Sequence, residues 1–246
     1  MANMDRERIY DEAIGYMEQT VHDLTGRMPA PSFVQKRGYR YAEKDAYRAI
    51  VQKMARIVSA LRAARLLLAH GFIQEQASMC RIVDEAEVDV TFLVLGIVYG
   101  EAELHKRFLT DFYQEEHEDP ERPMQTRNKR GSVPRDKIVA FIASSPVSGD
   151  DPSTAIAAMQ TIHKATSGYV HGASPFLMEM YGGRPACFHM NGLRDSPLWH
   201  DHRDDIWNYI YRGLTAFGLA AKAFGDQKLF DMIWAYTQQF SSSEPE

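Results

Sequence analysis

Residues 72–99 read FIQEQASMCRIVDEAEVDVTFLVLGIVY. The second half is among the most apolar stretches of the chain, yet Arg81, Asp84, Glu85 and Asp89 stand in the middle at helical spacing. A helix advances about 100° per residue, which places Asp84 near about −60°, Glu85 near about +40° and Asp89 near about +80° when Arg81 is set to zero. Val88 and Phe92 point the same way. One face therefore mixes an arginine, three carboxylates and large apolar groups. Burying a charge is costly unless it is paired and hydrogen-bonded, so a second segment must answer this face. Arg81 and Glu85 can pair at i, i+4, in the order that opposes the helix dipole.

The rest of the chain is punctuated by proline, which is absent from Ser32 to Asp119, from Ser153 to Ser174 and from Leu198 to Glu244. Helices can run in those tracts. Asp45–Ala69 carries a 3.6-residue apolar stripe through Ala46, Ile50, Met54, Ile57, Leu61 and Leu68, and His70-Gly71 supplies a stop. Gly96 and Gly100 are expected to end or kink the helix from Phe72. Leu104, Phe108 and Phe112 mark a further helix to about Glu116. Asp151-Pro152 is an N-cap followed by a first-turn proline, opening a helix that ends near Gly172. Tyr181–Pro197 is rich in glycine and proline and includes CFHMNG, a pattern for a short strand and an Asn-Gly turn. Ile206, Ile210, Leu214, Phe217 and Ala221 define another amphipathic helix, and Gly225-Asp226 breaks it and caps a last one to about Phe240. The reading is all-α: a single-domain helical bundle of about seven or eight helices with a basic loop near 118–135. Residues 1–40 form an N-terminal helix and loop packed on the core, 41–240 the helical core, and 241–246 a disordered tail.

The chain has 246 residues, is 45% hydrophobic and 25% charged, and has a net charge of −5. That composition supplies a core without disulfide or metal staples and argues against a generally basic nucleic-acid face. The two cysteines, Cys80 and Cys187, are unclustered and read as free thiols of a reducing compartment. With a charged N-terminus and no apolar run of membrane length, a cytoplasmic protein with no membrane partner is expected. The loop 118–135 holds Arg122, Arg127, Lys129, Arg130 and Arg135. It is a solvated linker or, alternatively, a phosphate-contacting segment.

The partner for the charged helix is sought in IHKATSGYVHG, residues 162–172. His163, Ser167 and His171 share a face at i, i+4, i+8, and Gly168 leaves room for a backbone or ligand. His171, at the helix end, is expected to sit opposite Arg81 and Glu85. The candidates for acid–base chemistry are thus Arg81, Glu85, His171 and His163; those for ligand binding are Asp84, Asp89, Ser167 and Tyr169. No metal site and no cofactor are expected: His200 and His202 on a helix would point about 160° apart. Trp199, Trp207, Tyr209 and Tyr211 read as core packing.

The combination of Arg-x-x-x-Glu (Arg81 to Glu85) on an apolar helix with a later Ser-x-x-x-His-Gly (Ser167 to Gly172) resembles a bacterial all-helical family of unknown function. That family is distantly similar to the HEPN (higher eukaryotes and prokaryotes nucleotide-binding) helical domains. The resemblance spans Tyr41 to Phe240 and implies a helical bundle without an established activity. Many HEPN domains are metal-independent ribonucleases with an Arg-x(4–6)-His signature. Arg65 to His70 and Arg194 to His200 fit that spacing, but Arg65 is explained by snorkelling and His70 by capping. The resemblance implies RNA or a nucleotide-like ligand as partner, and a ribonuclease or defence role. The residues alone leave two functions open. One is binding of a small polar ligand or RNA at a buried Arg/Glu/His site, with or without catalysis. The other is a non-enzymatic helical scaffold or homodimerisation module whose polar cluster only specifies packing.

Overall fold

A computed structural model describes residues 2–129, 131–146, 148–149 and 151–243, the side chains of 2–5 excepted. The chain is all-α. Among the described residues there are nine α-helices: α1 (Ala2–Thr25), α2 (Ala46–Ala69), α3 (Ile73–Tyr99), α4 (Glu103–Tyr113), α5 (Arg135–Ala143), α6 (Pro152–His171), α7 (Ser174–Met178), α8 (Pro197–Ala223) and α9 (Gln227–Ser241). Two small antiparallel hairpins, β1 (Ser32–Val34) with β2 (Gly38–Arg40) and β3 (Tyr181–Gly182) with β4 (Cys187–Phe188), decorate it. No helix among the described residues is long and apolar enough to cross a membrane.

The helices start where short polar side chains satisfy orphaned backbone donors. The Asp45 carboxylate accepts from Arg48 N at 3.0 Å, Asp151 from Ser153 N and Thr154 N, and Asp226 from Leu229 N at 2.8 Å. α2 stops at His70, and Gly71 turns the chain with φ +82°. That turn also receives the 192–194 segment: Leu193 N donates to Gly71 O at 2.8 Å. A Cβ on Gly71 would stand 2.6 Å from Arg194 N, and one on Gly192 would stand 2.7 Å from His70 O. Hydrogen alone fits at both places.

The α2–α3 hairpin has the most extensive helix contact in the molecule, and α8 packs across α3 with α1 and α9 beside it. α5 and α6 cover the other flank of α3. The core is fully buried Ile50, Met54, Ile57, Leu61, Phe92 and Phe217 with Tyr10, Ile14 and Phe240. α3 lies at its centre, with only a minority of its residues exposed.

Several expectations are refined. Gly96 neither ends nor bends α3; it makes room for the buried His105 ring, whose Nε2 hydrogen-bonds Phe92 O at 3.0 Å. Gly100, with φ +100°, ends the helix. Arg135 is the first residue of α5 rather than the last of a loop. The loop before it contains a 3-10 turn, Pro123–Gln125, and Arg130 lies outside the described residues. Ser241 closes α9, and Ser243 Oγ accepts from the Trp207 indole at 3.3 Å. Residues 244–246, expected as part of a disordered tail, lie outside the described residues.

Candidate functional site

α3 stays helical through its central charges, Arg81, Asp84, Glu85, Glu87 and Asp89, because each of them is answered. Asp84, whose side chain is 5% exposed, is the hub. Its Oδ1 accepts from Arg212 Nη1 of α8 at 3.1 Å. Its Oδ2 lies 3.6 Å from His163 Nδ1 of α6 and 3.7 Å from Arg81 Nη1. Arg81 pairs with Glu85 at 2.9 Å, donates through Nη1 to His163 O at 2.8 Å, and donates through Nη2 to His163 Nε2. Asp89 is held by Lys53 of α2 and Arg135 of α5, each at 2.7 Å, and Arg135 also donates to Glu85 O. Glu87 is buried against Arg212 Nη2 at 2.9 Å.

These contacts assign protons. A guanidinium N–H only donates, so His163 Nε2 accepts and the imidazole proton sits on Nδ1, facing Asp84. The ring is then neutral, which agrees with a proton affinity lowered first by burial and then by the Arg81 cation. Glu87 is the opposite case: burial pushes its carboxyl up to about 8, against the pull of Arg212. At neutral pH it holds a proton.

The network forms one side of a cavity of about 340 Å³. Its other walls are Val88 and Thr91 of α3, Val139 and Ile142 of α5, Met159 and Ile162 of α6, Tyr211, Thr215 and Ala216 of α8, and Trp234 of α9. Half-buried His163 lines the cavity. A second cavity of about 550 Å³ lies on the far side of Arg135, against Lys53, Glu85, Asp89, Asp111 and Phe112.

Arg81, Asp84, Glu85 and His163 come together. The expected meeting of His171 with Arg81 and Glu85 does not occur. His171 is exposed in the last turn of α6. Eight residues of helix separate it from His163 by about 12 Å, so α6 crosses α3 at its middle rather than its end. Ser167 is only half-buried and does not line the cavity. Gly168 admits neither a backbone nor a ligand, because the Phe176 ring fills the space: a Cβ there would stand 1.9 Å from it. Tyr169 faces a separate cleft of about 220 Å³ with its hydroxyl 3.2 Å from His202 Nε2. His202 Nδ1 in turn meets Gln76 Oε1 at 2.7 Å. Asp89 belongs to the Lys53–Arg135 side of α3 and lines the second cavity.

Arg212, Glu87 and Lys53 are members that the sequence reading passed over. Arg212 had a signal: it is the only charged residue from Ile206 to Ala221. Glu87, at about −120° from Arg81, lies one step beyond Asp84 and outside the face centred on Arg81. Of the Arg-x-His pairs, Arg65 is tied to Glu7 and Asp11, and Arg194 lines a fourth pocket with Trp199. No group of three or more His, Cys, Asp or Glu among the described residues could hold a metal ion. Comparison with models of protein families, with curated proteins and with solved structures found no match.

Proposed function

We propose that the protein binds a small molecule with an apolar body and a polar end in the cavity between α3, α5, α6, α8 and α9. The observation that carries this reading is a space of about 340 Å³ with mostly apolar walls and a polar network of Asp84, His163 and Arg212 along one side. Ligand sites have this character: roughly 300–1,000 Å³, apolar walls, a few placed polar groups. A network that only fixed packing would be sealed, whereas His163, which lines the cavity, is 31% exposed. Binding is favoured over acid–base catalysis because the His163 lone pair is occupied by Arg81, and a substrate would have to displace it before the ring could take a proton. Glu118, Asp119 and Glu121 open the 118–135 segment ahead of its cations, and Arg37 binds the loop's backbone at Glu118 O. That arrangement favours a surface loop over a phosphate-reading one.

The test is a thermal-shift and calorimetric screen of small aromatic and aliphatic compounds against the full chain, with Ile162→Trp as the filled-cavity control. Binding should appear in the parent and vanish in Ile162→Trp with its melting temperature retained. Binding that survives the filled cavity would place the ligand elsewhere. RNA binding that weakens with salt and loses its slope in an Arg122/Arg127 double variant would favour the RNA reading instead.

A further inference from the structure

We propose that the ligand of this cavity is a neutral alcohol or phenol with an aromatic or branched aliphatic body, its hydroxyl seated between Asp84 and His163. The inference rests on the binding role argued above and adds the chemical class. The body is set by the walls: Val88, Val139, Ile142, Met159, Ile162 and Trp234 offer carbon surface. At about 30 Å³ per liquid water the space equals roughly eleven waters, room for an aromatic ring and a short side chain.

The head group follows from two unpaired atoms on residues that both line the cavity, Asp84 and His163. Asp84 Oδ1 is taken by Arg212. Asp84 Oδ2 accepts no hydrogen bond among the described residues, because Arg81 Nη1 at 3.7 Å and His163 Nδ1 at 3.6 Å both stand too far away. His163 Nδ1 carries the ring proton, since Nε2 faces Arg81 Nη2, and that proton has no acceptor in reach among the described residues. Neither atom belongs to the set of unpaired atoms that the fold seals off. A fixed acceptor and a fixed donor thus stand 3.6 Å apart. One oxygen about 2.8 Å from each closes the triangle at ordinary hydrogen-bond lengths.

Such an oxygen accepts from Nδ1–H and donates to Oδ2, and a hydroxyl does both. A carboxylate only accepts and would meet Oδ2 charge to charge. An ammonium only donates and would meet the Nδ1 proton. An ether accepts but leaves Oδ2 unanswered. A neutral head group also brings no further charge into a mostly apolar space. The remaining polar lining does not choose otherwise. Arg212 Nε and Nη2 and Glu87 Oε1 are sealed. Both Nη groups of Arg135 are engaged, by Asp89 and by Glu85 O. Thr215 donates to Tyr211 O, and the Thr91 and Tyr211 hydroxyls can turn to suit any head group.

The experiment titrates the full chain with 2-phenylethanol, its methyl ether, phenylacetate and phenethylamine, which share a body and differ in head group. Calorimetry and the fluorescence of Trp234 are the readouts, with Trp234→Phe as the optical control and Ile162→Trp as the filled-cavity control. The alcohol is expected to bind at least about tenfold more tightly than each of the other three, a difference of about 1.4 kcal/mol. Asp84→Asn keeps an oxygen for Arg212 and puts an N–H where Oδ2 stood, so it should bring alcohol and ether within about twofold of each other. Should that variant fail to fold, the ranking in the parent decides by itself. Ether, acid or amine binding in the cavity as tightly as the alcohol overturns the hydroxyl assignment and leaves the cavity as a binding site. A tenfold preference for alcohol over ether that persists in folded Asp84→Asn overturns the seat at Asp84. Alcohol binding undiminished in Ile162→Trp, or no binding by any of the four at millimolar concentration, overturns both readings.

Discussion

Asp84 is the residue on which the site turns. Replacing it by alanine leaves Arg212 and Arg81 without their shared acceptor, and removing one partner of a buried ion network costs about 3 kcal/mol. Denaturant unfolding of Asp84→Ala should show that loss, whereas Glu85→Ala, at an exposed pair, should cost less than about 1 kcal/mol. Equal losses would mean that Asp84 is no hub. His163 gives a second residue-scale prediction. Its proton affinity is lowered, so its stabilising contribution is present above the ordinary value of 6.5 and is lost as pH falls through its folded midpoint. Nuclear magnetic resonance should place that midpoint below 6.5, and Arg81→Ala should raise it. The Arg81–Glu85 pair was legible because i, i+4 spacing is a local property. Arg212 stands out as a lone charge on an apolar helix, but its pairing with Asp84 was not legible, because which distant residue answers a buried acid is decided by how helices cross.

Among elements, α6 shows where periodicity stops informing. Its cap at Asp151 and its end at left-handed Gly172 are written locally, and so is the shared face of His163 and His171. Which turn of that face meets α3 is not, and it is the His163 turn that does. The same limit explains α5, whose nine residues offered too short a pattern, and the β1–β2 hairpin, whose Phe33 and Tyr39 are exposed and leave no burial signal. Gly168 is the contact that seats α7 on α6. Gly168→Ala would drive a methyl into the Phe176 ring, and a loss of about 1–3 kcal/mol in thermal unfolding is expected. An unchanged melting temperature would show that Phe176 swings aside freely.

For the whole molecule, the all-α class was legible because helix caps and apolar stripes agree along most of the chain. The cavity was not, since it is the volume left over where five helices fail to fill space. Its buried acid sets the response of the fold to pH. The folded state keeps a proton on Glu87 that the unfolded chain releases near 4.5. The associated stability is therefore complete below about 4.5 and is lost as pH rises to about 8. The melting temperature should decline across that window, and Glu87→Gln should flatten the decline. A steeper slope in the variant would contradict a protonated Glu87. Arg135 has a wider consequence, because it is a party wall. The apolar cavity lies on one side of it and the larger Lys53–Asp111 space on the other. A guest that pushes this side chain redraws the neighbouring room as well. Thermodynamic reciprocity then makes tenancy mutual: whatever one occupant does to the affinity of the other room, an occupant there does back by the same factor.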